Sequence, residues 1–336
     1  MNYTVFIPTK NRPTFIRKNL NYLSRTQFLG TVFILDSSDV DNANVITQML
    51  SDYPKLNIVY RHLIGLPWQV MKAAMPEVKT DYVSFIGDDD FLLPSAVDQA
   101  VSALDTDGTF NSAVGDILLA KLNDHRHSVD FFYPYYPAIA KKSTRIERIQ
   151  ELFERYQVSL FAIYRRSAFE EILHHVPSFE GYHKCPVWAI SDEIMPSTFG
   201  VGVGKTHVIN QLMVVRSIHK HRYRMPAYSD NPLQYTKAEA YFRQQMKQFV
   251  MQEPCDEKNV DTAIDDILYR LRHRKIKGQS LFSRFFSMPL QMRLHLLKHK
   301  LPWVFNKDVL NSDFIKNHDC KVELAQIYEE LNDARQ

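Results

Sequence analysis

Asp81-Tyr82-Val83-Ser84-Phe85-Ile86-Gly87-Asp88-Asp89-Asp90-Phe91-Leu92-Leu93-Pro94 carries an apolar run straight into three consecutive carboxylates. Tyr82 to Ile86 reads as a buried strand, and its end concentrates negative charge. Three adjacent carboxylates repel one another, so holding them together calls for water or a cation among them. A hard divalent ion is one solution, because Mg2+ and Mn2+ favour oxygen ligands and bridge carboxylates to phosphate oxygens. Taken alone, the triplet is equally a solvated acidic turn. The flanking chain has to decide.

Upstream, Thr4 to Ile7, Thr31 to Leu35 and Asn57 to Tyr60 are β-rich runs. A helical stripe of Phe15, Ile16, Leu20 and Leu23 follows the first, and a helix through Val70 to Met75 follows the third. Strands alternating with helices over the first 110 residues predict an open, mostly parallel α/β sheet with right-handed crossovers. Ligands of such sheets sit beyond the carboxyl ends of the strands. Those ends carry Pro8-Thr9-Lys10-Asn11-Arg12-Pro13, Asp36-Ser37-Ser38-Asp39, Arg61 and the aspartates. The four groups are expected to converge on one crevice, giving the acid cluster cations and hydroxyls around it, as in a nucleotide site.

Downstream, a helix with Val97, Val101 and Leu104 leads to a strand over Ala113 to Lys121. Asp130 to Pro137 reads as an aromatic, proline-punctuated loop, able to stack on a sugar ring or to pack beneath itself. Thr144-Arg145-Ile146-Glu147 fits a capping box opening a helix to about Tyr156, followed by a strand over Val158 to Tyr164 and a helix over Ser167 to His175. Gly204-Lys205-Thr206 ends like a phosphate-binding P-loop, but the first glycine that motif needs is Phe199, and the β-rich run His207 to Arg216 follows where it should precede. An NTPase is excluded. Helices return over Thr236 to Gln252, Asp261 to Arg274 and Val322 to Leu331.

The chain has 336 residues, 45% hydrophobic and 24% charged, with a net charge of +3. That is an ordinary globular composition, and the total charge does not suggest nucleic acid. The charge is unevenly placed. The first 110 residues hold nine basic and twelve acidic side chains, whereas the interval between Asp266 and Asp308 holds ten lysines and arginines and no acid. There they interleave with Phe282, Phe285, Phe286, Leu296, Leu297, Trp303 and Phe305. Such a basic amphipathic stretch over 270–305 fits peripheral contact with an anionic membrane, or an oligomer interface among the C-terminal helices. Cys185, Cys255 and Cys320 are widely spaced, no secretory leader is visible, and no apolar run reaches the ~18 residues of a membrane span. The expected location is cytoplasmic, on the inner face of the cytoplasmic membrane.

Ile7-Pro8-Thr9-Lys10-Asn11-Arg12, Asp36-Ser37-Ser38, Gly65 before a helix, Asp88-Asp89-Asp90 with Pro94 four residues on, and Asp192-Glu193 occur in an order and spacing that resembles the GT-A nucleotide-sugar glycosyltransferases of family 2, notably bacterial enzymes of surface-polysaccharide assembly. The resemblance covers roughly residues 1–225: a nucleotide-sugar half over 1–110 and an acceptor half over 111–225, with 226–336 as a helical extension. It implies that Pro8, Thr9, Asn11, Arg12, Asp36, Ser38, Arg61, Gly65, Lys72 and Asp88 line the nucleotide sugar, Asp36 on the base and Asp88 near the ribose. It implies Asp89, with Asp90 and His219, as ligands of Mn2+ or Mg2+, and Asp192 or Glu193 as the catalytic base. Where the family often has an Asp two residues before the metal-binding one, this chain has Gly87. The activity implied is inverting transfer from a nucleoside-diphosphate sugar, UDP foremost, to a glycan or lipid-linked saccharide. Two other readings remain: a sugar-phosphate nucleotidyltransferase, although Pro8 to Pro13 lacks the glycines of that class, and a membrane-docked scaffold with the same fold and no chemistry.

Overall fold

The computed structural model describes residues 2–123, 128–135, 140–154, 159–176, 193–219, 232–254, 256–273 and 320–332. Strand β1 (Tyr3–Thr9) has β2 (Thr31–Asp36) on one side and β4 (Tyr82–Phe85) on the other, with β3 (Asn57–His62) outside β2, all parallel. The crossovers are α1 (Pro13–Arg25), α2 (Val40–Met49) and α3 (Pro67–Ala74). Proline at the first helical position of α1 and α3 gives up an N–H that would have no helical partner there. Asp39 caps α2 by accepting the Asn42 amide at 3.0 Å. Strand order runs outward from β1 to β3 and then returns to β4 on the other flank of β1. That reversal opens a crevice beyond the carboxyl ends of β1 and β4.

The second half begins with β5 (Phe91–Leu92) and α4 (Pro94–Thr106), followed by β6 (Phe110–Asn123) and β7 (Ser128–Tyr135). Next come α5 (Arg145–Glu154), β8 (Ile163–Arg165), α6 (Arg166–His175), α7 (Met195–Gly202) and β9 (Lys205–Ile218). Short β8 runs antiparallel to both β4 and β6 and so joins the halves. β6 is parallel to β9, and β5 is antiparallel to it. The full order is β3-β2-β1-β4-β8-β6-β9-β5, with β7 on β6. The sheet is thus parallel in its first half, as the sequence implies, and mixed in its second. Because β9 runs in the same sense as β1, its end at Ile218 reaches the same sheet edge as Thr9.

Side-chain alternation along the strands divides the core. Phe6, Phe33 and Phe85 are in register on one face, where Phe6 meets Phe169 of α6 and Phe85 meets Trp68 of α3 at 4.8 Å. Tyr3, Val5 and Ile7 point to the other face, where Tyr3 meets Phe28 beyond α1.

Three local expectations change. The aromatic segment expected to be a loop contains β7: its β-branched and aromatic residues suit a pleated strand, and Pro134 falls where the β6–β7 register shifts, so it breaks no regular ladder. The strand expected over 158–164 is only Ile163–Arg165, because Ser159 to Ala162 turn, with the Ala162 amide on the Ser159 carbonyl. Helix α2 and strand β5 have no counterpart in the sequence reading, and two-residue β5 is too short to show a period.

Helices α8 (Pro232–Val250), α9 (Glu257–His273) and α10 (Lys321–Asn332) complete the described chain. Phe242, Met246 and Phe249 of α8, Ile264 and Ile267 of α9 and Leu324 and Ile327 of α10 belong to one apolar core continuous with that of the sheet. Among the described residues no helix is long and apolar enough to cross a membrane. The basic stretch lies largely outside the described residues.

Candidate active site

The acidic loop leaves β4 at Phe85 and is drawn tight by the Asp90 amide on the Gly87 carbonyl, 3.1 Å. From below, buried Asn19 of α1 donates through Nδ2 to the carbonyls of Asp88 at 2.7 Å and Asp90 at 3.0 Å. A Cβ on Gly87 would stand 2.8 Å from Asp89 Oδ1. A side chain at position 87 would therefore displace the carboxylate of Asp89.

The three carboxylates part company above this frame. Asp88 accepts Thr9 Oγ1 at 2.7 Å and Arg12 Nη1 at 2.6 Å. Asp89 accepts Arg12 Nη2 at 2.9 Å and lies 2.9 Å from His219 Nε2, at the end of β9. Asp90 turns the other way, accepting the Ser217 amide at 3.0 Å with Arg216 Nε 3.6 Å away. It thus ties the loop to β9. Arg12 Cζ lies over the Phe15 ring, 4.0 Å from its centroid, and Phe15 also meets the His219 ring at 4.9 Å.

These contacts split the titrations. Burial and the adjacent Asp89 charge push Asp88 up, against the pull of Arg12 and Thr9. Burial acts against Asp89 too, but the His219 hydrogen bond and the Arg12 charge outweigh it and hold that carboxyl below the usual range. Of this pair, Asp89 is the one whose surroundings favour the charged form.

Opposite, the ends of β2 and β3 make a second wall. Asp36 is fully buried, and its oxygens take the Ser38 amide at 2.8 Å and the Tyr60 hydroxyl at 2.8 Å. Burial, with Asp36 beside it, pushes Tyr60 up to about 12, which keeps it a donor. Ser38 Oγ accepts the amide of Asn11, whose φ of 55° is a conformation asparagine tolerates. Asn11 Oδ1 in turn accepts the Asp39 amide. Ser37 Oγ donates to the carbonyls of Leu63 and Gly65, closing that loop on β2.

Between the walls lies a cavity of about 240 Å3, with Pro8, Thr9, Arg12 and Asp88 on one side and Ser37, Gly65, Leu66 and Pro67 on the other. Lys10 and Val70 also line it. A larger open groove of about 620 Å3 on α4 and β9, beside Asp98 and His207, shares no residue with it.

Of the residues expected at the site, Pro8, Thr9, Arg12, Gly65, Asp88, Asp89 and His219 come together here. Asn11, Asp36 and Ser38 form its supporting scaffold, with Asp36 already satisfied internally. Arg61 pairs with Glu77 through an exposed fork, and Lys72, exposed on α3, is not among the cavity's lining residues. Glu193 is partly buried just before α7, and Asp192 lies outside the described residues. Sequence reading missed Asn19 and the role of Tyr60, and took Phe15 only as part of the apolar stripe of α1. Asn19 alone left a signal, a polar residue beside the stripe of Ile16, Leu20 and Leu23.

A divalent cation is implied by this loop, and the donor set fits one in part. Asp89 and His219 offer a carboxylate and an imidazole at one point. Among the described residues no three histidines, cysteines or acids form a metal-holding group, so Asp90 does not join them. The remaining positions would belong to phosphate oxygens and water.

A polar crevice at the strand-order reversal of an α/β sheet is where such folds bind their ligands. The glycosyl transferase family 2 model matches residues 4–173, and the chain belongs to that family. It is a glycosyltransferase. No curated protein matches it by sequence. Among solved structures it is similar to S. aureus TarS 1–349 in complex with UDP-GlcNAc, at 16% identity and TM-score 0.57, covering 99% of this chain and 90% of that one. The same TarS 1–349 in complex with UDP gives 15% identity and TM-score 0.53, covering 99% and 89%. The longer TarS chain gives 16% and 0.54, covering 99% of this chain and 53% of that one. At such identities the likeness is one of fold.

Proposed function

We propose that the protein transfers a sugar from a nucleoside-diphosphate sugar, with UDP as the nucleotide, to a glycan or lipid-linked saccharide in surface-polysaccharide assembly, inverting the anomeric centre. The observation that carries this reading is the set Arg12, Asp88, Asp89 and His219 joined at the ends of three strands, with Arg12 and Asp88 lining the adjoining cavity. Family membership supports it, as does the fold shared with a protein solved with UDP-GlcNAc.

The base and ribose would enter between Pro8, Ser37, Gly65 and Leu66, and Arg12 would meet the phosphates. Asp89 and His219 would hold Mn2+ or Mg2+, whose bound charge offsets the negative charge that grows on the departing diphosphate. Asp192 or Glu193 would take the proton of the acceptor hydroxyl as it attacks from the face opposite the leaving group. Losing that base should lower turnover by about 10² to 10⁴ while donor binding stays near normal. Residues 270–305 would bring the enzyme to an anionic membrane, where lipid-linked acceptors reside.

Calorimetric titration with UDP, GDP and their sugars, with and without Mn2+, tests the reading. Binding of a nucleotide sugar that strengthens with metal is expected. Should no nucleotide bind under either condition, the proposal is wrong.

A further inference from the structure

Asp89 is already engaged by a cation. Arg12 Nη2 lies 2.9 Å from Asp89 Oδ2, the same oxygen that faces His219 Nε2, and only 3.3 Å from that nitrogen. The two groups able to hold a divalent ion thus share one point with a guanidinium. Arg12 is pinned there by Asp88 at 2.6 Å and by Phe15 beneath it. A divalent ion approaching Asp89 and His219 would meet a fixed positive charge at contact distance, and two protein donors alone give it little in return. A diphosphate changes both terms. It offers Arg12 a bidentate partner and offers the metal further oxygens.

We infer that Arg12 is an exchangeable internal counter-cation: it shares Asp89 and His219 with the metal position and moves to the diphosphate when donor arrives, so that donor and metal load as a coupled pair. This rests on the nucleotide-sugar reading above. The exchange is a swap of ionic contacts in which no covalent bond changes. Thermodynamic linkage requires it to be reciprocal, with UDP tightening Mn2+ as much as Mn2+ tightens UDP.

Water-proton relaxation by Mn2+ reads the coupling directly on the full chain, without turnover. Wild-type protein is expected to bind Mn2+ weakly alone and about tenfold or more tightly with saturating UDP. Arg12→Met should bind Mn2+ more tightly than wild type in the absence of UDP and lose most of the coupling. Arg12→Lys, which keeps the charge but grips one carboxylate at a time, should fall between and guards against a folding defect in the first variant. Equal Mn2+ affinity in wild type with and without UDP would overturn the inference, as would coupling unchanged in Arg12→Met. Failure of UDP to bind at all would instead remove the nucleotide-sugar reading, so the two outcomes stay apart.

Discussion

Asn19 shows how a single amide can govern a charged loop. Its Nδ2 holds two carbonyls of the Asp88-Asp89-Asp90 turn together, and nothing of similar size and shape without a donor can do so. Asn19→Ala should leave those buried carbonyls unpaired and lower stability by about 1–3 kcal/mol. Chemical denaturation would measure this, and titration should show nucleotide affinity falling with it. Asn19→Leu, which restores the apolar volume, should recover part of the stability and none of the affinity. The aspartates themselves illustrate what composition hides. Three identical side chains in a row have three destinations: Asp88 is held by Thr9 and Arg12, Asp89 by Arg12 and His219, and Asp90 by β9.

At the scale of elements, α10 braces the helices on either side of the acidic loop. Helix α4 has no side-chain cap of its own at Leu93. Buried Glu323 of α10 supplies one, accepting the Ser95 amide at 3.0 Å and the Ser95 hydroxyl at 2.6 Å. The other end of α10 grips α1 through Arg25 with Glu329 and Glu330, while Tyr22 of α1 lies edge-on to Phe91 of β5. Both helices that flank the acidic loop are therefore held from behind. Glu323→Ala should cost about 0.5–2 kcal/mol, in the range of a lost helix cap. Arg25→Ala, whose side chain is substantially exposed, should cost under about 1 kcal/mol. Thermal unfolding of the two variants checks the order.

Across the whole molecule, α8 seals the contact between sheet and extension with Phe249, which packs edge-on against His175 of α6 and Phe199 of α7. Burial depresses His175 below its ordinary value of 6.5, and His174 adds to this. Its neutral form is thus the folded form, so its contribution is present above 6.5 and is lost as pH falls through the lower folded value. The His175 share of the urea midpoint should fall as pH drops below 6.5, so the difference in midpoint between wild type and His175→Phe should change with pH in that direction. In the parallel half the four strands and the helices α1 and α3 were legible from their own periods and the prolines that open the helices, whereas α2 was not. Much of the second half was not: β8 and β5 take their places from pairing with β4, β6 and β9, which no local pattern encodes. Likewise Arg12 and Asp89 each stood out in the sequence at a strand end, but their pairing across 77 positions did not. The brace formed by α10 has one last consequence. A nascent polypeptide grown as far as residue 273 already contains every described strand, yet lacks the helix that steadies the acidic loop. On the ribosome, such a chain should hold a loose, poorly binding site until the segment around 320–332 has emerged.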